Sequence, residues 1–380
     1  MIKRNQSIKS NRLLQLGSSI KITVTCLSLL FILTLWGTIA QVQTGLYIAQ
    51  ERFFHSWYFL ALGFIPFPGA KLVLSILFVN LVCVAITRFV YKLSHIGILI
   101  IHFGLLIYFV SAYVTLNIVK ESQVTLMEGD GTNVSTAYHD WEISVWAERS
   151  DKKRDVIGYD TRNLKPGVII ALNELGFQLI TKSYFPNATA YTSAPENAKE
   201  IMLNASGIKY LTKVNLNKEP EKNIPGSVFE LQTNDGQDIN ILVYGGESKP
   251  TQFKVDDNKY NIILRRKRFV LPFTIVLKDF EMELHPGTNI ARSYKSKVEV
   301  EGGGLNREAI IYMNHPLRYK DYTFYQASYA VDQLGRELST LAVVKNTGQL
   351  LPYIACFVTF AGLSTHFLLM AFKSKKKNKK

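Results

Sequence analysis

Cysteine is scarce in this chain, and its placement excludes several kinds of chemistry. Of the 380 residues only three are cysteines, and Cys26, Cys83 and Cys356 each lie in a long apolar run. The stretch between the third and fourth apolar runs has none, so it holds neither a disulfide nor a CxxC redox motif. The sequence also lacks the GxxxxGKS/T and GxSxG patterns, which excludes a P-loop and a nucleophile elbow.

Acidic residues are the minority, yet the positive excess is confined to a few places. The formal net charge is +14. Five basic residues precede the first apolar run and six follow the last one, so the two ends supply eleven of these charges. Because the excess lies only beside apolar runs, the positive-inside rule explains it, and we do not expect nucleic-acid binding.

Four apolar runs are long enough to predict transmembrane helices. The second is short, but its flanking lysine and arginine side chains can snorkel to the interfaces. The predicted helices are Ile22–Ala40, Leu72–Thr87, Ile96–Leu116 and Leu350–Phe372. An even number of spans agrees with two basic ends on the same side of a bacterial inner membrane.

A fifth apolar segment, WYFLALGFIPF at residues 57–67, is too short to span a membrane. Its aromatic residues, with Pro66 and Pro68, predict an interfacial or re-entrant stretch. A simple loop on the membrane surface is the alternative interpretation.

These predictions divide the chain into five parts with a large domain outside the cytoplasm. In order they are a cytoplasmic basic N-terminus (1–21), three transmembrane helices with the interfacial segment (22–116), an extracytoplasmic β-rich domain (117–349), a fourth transmembrane helix (350–372) and a cytoplasmic lysine-rich tail (373–380).

The domain at 117–349 has the alternation of apolar and polar residues that is typical of β-strands. Trp141, Ile143 and Val145 illustrate it, and turn signals such as Asn234-Asp-Gly separate the runs. This pattern predicts an antiparallel β-sandwich or a partly open barrel. A weak boundary at 245–250 predicts two subdomains.

Three histidines in or beside the predicted spans are candidate ligands, because ionisable groups in a membrane are usually functional. His102 lies in the middle third of the third span, His95 at its cytoplasmic edge, and His366 in the cytoplasmic half of the fourth. Neutral imidazole is a good axial ligand for haem iron. His95 and His102 lie about 10 Å apart along a helix, too far to share one iron.

Each of these histidines also has a structural interpretation, and the residues alone leave both open. His102 fits a buried ring bonded to a backbone carbonyl, and His95 fits an interfacial anchor. Asn80 is expected to form a hydrogen bond between helices. The aromatic segment at 314–329 fits either a binding face or two well-packed strands.

The run MNHPLRYKDYTFYQASY at residues 313–329 closely resembles the signature of the ResB (CcsB) family of cytochrome c biogenesis proteins. HIGILIIHFGLLIYFVSAY resembles the third span of that family, including the embedded histidine, and the first and last spans also resemble their counterparts. Residues from about 150 to 250 have no such resemblance.

The resemblance implies a subunit that works with a CcsA (ResC) type partner, which has a tryptophan-rich motif. Together they are expected to move haem b outward and attach it to CxxCH motifs of apocytochrome c. His102 is then a haem axial ligand, the second ligand belongs to the partner, and His366 and His95 are lesser candidates. This chain has four dispersed tryptophans, so alone it is not expected to complete the haem ligation.

A rival interpretation is a membrane scaffold for an extracytoplasmic assembly, in which the histidines only pack. A sensor is a third, weakened because only eight residues follow Phe372.

Overall fold

The computed structural model describes residues 11–89, 92–148, 155–193, 202–232, 238–288, 291–302, 305–332 and 334–377. The predicted Asn234-Asp-Gly turn and parts of both basic ends lie outside these ranges. The chain forms two compact units. We call Met1–Lys120 with Lys345–Lys380 the membrane unit, and Glu121–Val344 the β domain.

The described part of the membrane unit consists mainly of α-helices. They are α1 (Arg12–Gly17), α2 (Ile20–Thr44), α3 (Leu46–Ala49), α4 (Ala70–Thr87), α5 (Ile96–Ile118) and α6 (Leu351–Lys377). The helices α2, α4, α5 and α6 are long and apolar enough to cross a membrane, which confirms the four predicted spans. The helix α2 extends beyond its predicted end because the chain stays helical until Gly45, whose φ of +88° ends it.

A buried asparagine joins α4 to the beginning of α2. The Nδ2 of Asn80 donates to the carbonyl oxygens of Gly17 (2.6 Å) and Ser19 (3.1 Å). Its Oδ1 accepts from the Oγ1 of Thr23 at 2.7 Å. The expected hydrogen bond between helices is therefore present, and it satisfies an amide that would otherwise be costly among apolar side chains.

The segment predicted to lie at the interface forms a β-hairpin. A π-helix (Gln50–His55) precedes strand β1 (Tyr58–Ala61), which pairs with β2 (Ile65–Pro68). Gly69 must be glycine, because an added Cβ would lie 2.2 Å from the carbonyl oxygen of Ser56. This close approach holds the base of the hairpin beside the first turn of α4.

The β domain is built mainly from antiparallel strands, with one parallel pair between β9 and β12, which confirms the predicted all-β class. Its strands, with the end residues that join it to the helices, are β3 (Lys120–Met127), β4 (Gly131–Ala147), β5 (Ile157–Asp160), β6 (Ile169–Leu172), β7 (Phe177–Phe185), β8 (Ala188–Tyr191), β9 (Met202–Leu203), β10 (Tyr210–Lys213), β11 (Gly226–Gln232), β12 (Asp238–Tyr244), β13 (Thr251–Val255), β14 (Asn258–Leu284), β15 (Ala291–Gly302), β16 (Leu305–Tyr312), β17 (Leu317–Tyr319), β18 (Tyr322–Val331) and β19 (Glu337–Lys345).

Ten strands form the larger sheet of the domain. Eight of them follow the order β16-β15-β14-β4-β3-β19-β18-β17, while β13 pairs with β14 and β5 with β4. A bridge between Tyr312 and His315 joins the end of β16 to the approach of β17. The two end strands of this order therefore come together, as in a partly open barrel. A five-stranded sheet has the order β6-β7-β11-β12-β9.

Two of the hydrophobic cores in the described part of the β domain lie along its longest strand, β14. The first core includes Phe229, Phe253 and Ile262, and the second includes Ile275 and Phe324. The predicted subdomain boundary at 245–250 is wrong, since β13 beyond it belongs to the first core. The division falls inside β14, because one 27-residue strand supplies side chains to both cores.

Candidate functional site

The helices α5 and α6 pack with their backbones in close contact. The contact face of α5 has buried Gly97, Gly104 and Ser111, which are seven residues apart. An added Cβ at Gly97 would lie 2.5 Å from the backbone nitrogen of His366, and one at Gly104 would lie 2.2 Å from the Oγ1 of Thr359. Small residues at this spacing keep one face of α5 free of bulk, so the two helices form a tight pair.

The ring of His102 is held in one orientation on α5. Its Nδ1 lies 2.9 Å from the carbonyl oxygen of Ile98, one turn earlier. A carbonyl only accepts, so Nδ1 is the donor of this contact, and Nε2 is the nitrogen that keeps its lone pair when the ring binds a metal. The edge of the half-buried ring also contacts Phe89, with 4.5 Å between ring centroids and planes at 82°. This is the tautomer and the restraint that a ligating imidazole needs.

His366 belongs to α6, and its backbone packs against Gly97 of α5. Its backbone nitrogen, Cα and Cβ all surround the position that a Cβ of Gly97 would take. His102 follows Gly97 by five residues, which rotates it by roughly 140° around the helix axis. His102 therefore projects from a side of α5 other than the one that packs against His366.

His95 lies outside the helical part of α5. It ends a short 3-10 turn (Leu93–His95), is exposed, and its backbone N–H donates to the carbonyl of Lys92 at 2.9 Å. The three candidate histidines thus lie before α5, within α5 and on α6. The structure does not place any two of them on opposite sides of a single iron.

The aromatic signature at 313–329 forms a turn and two strands of the β domain. Asn314 has a φ of +61°, and the rings of Tyr312 and His315 stack at 4.6 Å across the turn. Lys320 has a φ of +52° in the next turn, between β17 and β18. The signature therefore fixes two tight reversals of the chain.

Most aromatic side chains of the signature pack in the second core. Tyr319, Tyr322 and Phe324 surround Phe273 with edge contacts at 5.0, 5.3 and 5.9 Å between centroids. Tyr325, in contrast, is 43% exposed. The packed-strand interpretation fits this arrangement, because three of the rings have no face left for a ligand.

A buried polar network lies under the same strands. The hydroxyls of Ser296 and Ser339 are 2.7 Å apart and both are fully buried. The amide of Gln326 bonds to both, with Oε1 accepting from Ser296 (2.7 Å) and Nε2 donating to Ser339 (3.0 Å). A fully satisfied network of this kind fixes the register of β15, β18 and β19.

A basic run that the sequence analysis overlooked lies in the middle of β14, at residues 265–268. Arg265 Nε donates to Glu142 Oε1 at 3.0 Å, and Lys267 Nζ donates to Asp160 Oδ2 at 2.8 Å. Arg265 and Lys267 are two residues apart and so face the same side of the strand, where two buried or half-buried cations need carboxylate partners. The need for such partners was a signal in the sequence that this run has a structural role. The partners themselves could not be identified, because they lie more than a hundred residues earlier in the chain.

Two side chains near this run, Asp160 and His139, have shifted pKa values. Burial acts to raise the pKa of Asp160, but hydrogen bonds from Lys267 and from the backbone of Arg162 outweigh it, so the pKa is lowered. Burial lowers the pKa of His139 and outweighs the nearby carboxylate of Glu221. At neutral pH Asp160 is therefore ionised and His139 is neutral.

Two comparisons relate this chain to known proteins. The profile of the ResB-like family matches residues 226–352, from β11 through the aromatic signature to the first residues of α6. Protein NrfI of Wolinella succinogenes is 29% identical over 116 residues. That match covers 30% of this chain and only 12% of NrfI, so this chain spans a small part of that relative's length. The region matched by the family profile includes the rings around Phe273 and leaves α5, with His102, outside it.

Proposed function

We propose that this chain is a ResB-type protein of cytochrome c biogenesis and one subunit of a complex that passes haem across the inner membrane. The complex then presents haem b for attachment to the CxxCH motif of apocytochrome c. Haem is the cargo here, and this subunit supplies an axial ligand and a binding domain. The other catalytic parts belong to a CcsA (ResC) type partner.

The observation that supports this proposal best is the state of His102. Its Nδ1–H is used by the carbonyl of Ile98, which leaves a neutral Nε2 with a free lone pair. A neutral ligand can bind iron inside a membrane without an added counter-charge. The contact with Phe89 limits ring rotation, so little side-chain entropy is lost on binding.

The second axial ligand comes from the partner in this scheme. His366 lies on α6 with its backbone against Gly97, and His95 is in the turn before α5. The side of α5 with His102 also includes Tyr113, which follows it by eleven residues, or roughly 20° of rotation. Tyr113 is 66% exposed, so this side of the helix has room for a partner helix.

The positive-inside rule gives the direction of transport. The basic ends place the N-terminus of α5 at the cytoplasmic side of a bacterial inner membrane and the β domain at the outer side. His102 follows Ile96 by six residues, about 9 Å along the axis. It is therefore suited to bind haem that enters from the cytoplasmic leaflet.

The β domain is proposed to hold apocytochrome c or to brace the partner while the thioether bonds form. All three cysteines of this chain lie in or beside membrane helices. A separate reductant must therefore keep the CxxCH thiols and the iron reduced.

A membrane scaffold that binds no haem is the alternative, and one observation favours it. His102 already has a hydrogen bond and a ring contact, which satisfy a buried histidine without any ligand. The two functions differ in whether Nε2 binds iron.

The test is an absorption spectrum of this protein purified with its CcsA-type partner. We expect His102→Gly to lose most of the Soret absorption and added imidazole to restore it, because imidazole can enter the vacated space and bind the iron. His366→Gly is the matched control, since it introduces the same helix-weakening residue without removing the proposed ligand.

Two results would contradict the proposal. Unchanged haem content in His102→Gly would leave only the scaffold role for this residue. Loss of haem in His366→Gly with retention in His102→Gly would move the ligand to α6.

A further inference from the structure

The hairpin β1–β2 of the membrane unit has two faces of different character. One face packs on an aromatic cluster: the ring of Phe59 lies 4.8 Å from Phe53, 5.7 Å from Trp36 and 5.6 Å from Phe67. Ala61 is buried on the same face. This contact holds the hairpin against the helices, which a two-stranded hairpin requires for stability.

The opposite face and the tip expose large apolar side chains. Tyr58 is 67% exposed, Leu62 76% and Phe64 73%, and Leu60 and Ile65 are also exposed. Such a group of apolar side chains on a short element marks a surface that is covered in the working protein.

The tip keeps an apolar residue where the backbone disfavours one. Leu62 has a φ of +54° and Gly63 a φ of +88°, and the N–H of Phe64 closes the turn on the carbonyl of Ala61 at 3.2 Å. Turns of this kind favour asparagine, aspartate or glycine at both central positions. A leucine there strains the backbone, so its exposed side chain is expected to have a role.

We propose that this hairpin inserts its exposed apolar face and tip into the interface of the bilayer leaflet. The hairpin lies on the connection between α2 and α4, which are both long and apolar enough to span the membrane. Only Gly69 separates β2 from α4, so the second strand ends directly beside a membrane span. Lipid is the occupant that needs no additional partner to cover Leu62 and Phe64.

The backbone limits the depth of insertion. A two-stranded hairpin has two unpaired edges, and such edges are not tolerated in the hydrocarbon core. The edges must stay near the headgroups while the side chains reach the acyl chains.

Two cationic side chains at the hairpin also support a position near the lipid headgroups. The exposed Arg52 donates from Nη2 to the carbonyl of Leu60 at 2.9 Å, and Lys71 Nζ lies 5.3 Å from the ring of Trp57. Cations beside aromatic rings are typical of the membrane–water interface, where they can meet lipid phosphates.

The experiment uses the full chain in lipid nanodiscs with a single environment-sensitive fluorophore. The native cysteines are replaced, and Phe64→Cys or Leu62→Cys carries the label, so that either variant alone can give the answer. Lys254→Cys, at an exposed position of β13, is the control in the β domain.

We expect a blue-shifted emission at the tip, with most of it quenched by lipids that carry a nitroxide near the headgroup. Lipids labelled at the end of the acyl chain should quench less, and the control should show neither effect. An unshifted spectrum at the tip, equal to the control, would place the hairpin in water. A blue shift without quenching by any labelled lipid would show a protein cover. Either outcome overturns the proposal.

Discussion

Replacing Gly104 with alanine tests whether the α5–α6 pair depends on backbone contact. The added Cβ would lie 2.2 Å from the Oγ1, 2.9 Å from the nitrogen and 3.1 Å from the Cα of Thr359. The hydroxyl can rotate away, but the backbone nitrogen cannot. Ordinary contact begins at 3.4 Å, so the helices must separate by at least about 0.5 Å at this point. Overpacking of this size costs about 1–3 kcal/mol of unfolding free energy.

The assay for this prediction follows the accessibility of a thiol inside the contact. Ser111 is 4% exposed on the same face of α5, so Ser111→Cys, with the native cysteines replaced, reports opening of the pair. A maleimide dye then reads its exposure as the purified protein is heated. For a loss near 2 kcal/mol, the midpoint of labelling should fall by about 4–8 °C in Gly104→Ala.

Two further variants make the result specific. Phe103→Ala changes the neighbouring residue, which is 60% exposed, and should leave the midpoint unchanged. Thr359→Ala in the Gly104→Ala protein removes the 2.2 Å contact but keeps the one at 2.9 Å, so recovery should be partial. An unchanged midpoint in Gly104→Ala, or complete recovery in the double variant, would refute the backbone-contact reasoning.

Two other predictions concern the ion pairs of β14, and both are read from the near-ultraviolet circular dichroism of Trp141 and Trp146. Glu142→Gln should destabilise the β domain by about 2–3 kcal/mol, because it leaves the guanidinium of Arg265 without its buried carboxylate. Asp160 has a lowered pKa when folded, so its ionised form contributes stability above the unfolded pKa of about 3.9 that is lost as the pH falls through the folded pKa. Asp160→Asn should therefore weaken the loss of stability on acidification below about pH 4.

Each ion-pair prediction has a contrary outcome. Glu308→Gln removes an exposed pair with Lys297 and should change stability by less than about 1 kcal/mol. An equal loss in Glu308→Gln and Glu142→Gln would show that burial does not determine the effect. An unaltered acid limb in Asp160→Asn would show that other carboxyl groups control acid unfolding.

The elements that depend on neighbours in the sequence could be predicted well. The four spans follow from continuous apolar runs, and their ends moved only where a cap or a glycine such as Gly45 determined them. The alternation at Trp141, Ile143 and Val145 gives one strand correctly, as part of β4. These signals are local, so no knowledge of distant partners was required.

The side of a helix that faces its neighbour was harder to predict. The helix α5 is apolar on every side, so hydropathy alone could not show which side faces α6. The available signal was the spacing of Gly97, Gly104 and Ser111. Without it, the relation between His102 and His366 stayed unknown, and the roles of both residues in haem binding remain predictions.

Long-range pairing was beyond the sequence for a different reason. The partners of β14 in β4 are more than a hundred residues away, for example Tyr260 opposite Ala147. One amino-acid sequence gives no indication of such partners. The boundary between subdomains was therefore predicted at 245–250, whereas the two cores actually meet within β14. For the same reason the sequence could not show whether the aromatic signature is a binding face or two packed strands. The residue that its rings contact, Phe273, lies some fifty residues upstream.

The placement of β3 beside β19 determines when the β domain can finish folding. Ser122 bonds to the carbonyl of Val343, and the hydroxyls of Thr125 and Thr340 lie 3.0 Å apart. During synthesis β3 can pair with β4 at once, but almost the whole domain must follow before it meets its other neighbour, β19. Closure of such non-local contacts is slow, because loop entropy is lost before the contacts form. The last strand emerges just before α6, so the domain can close only as the final helix enters the membrane, and until then its strand edges remain open to chaperones and proteases.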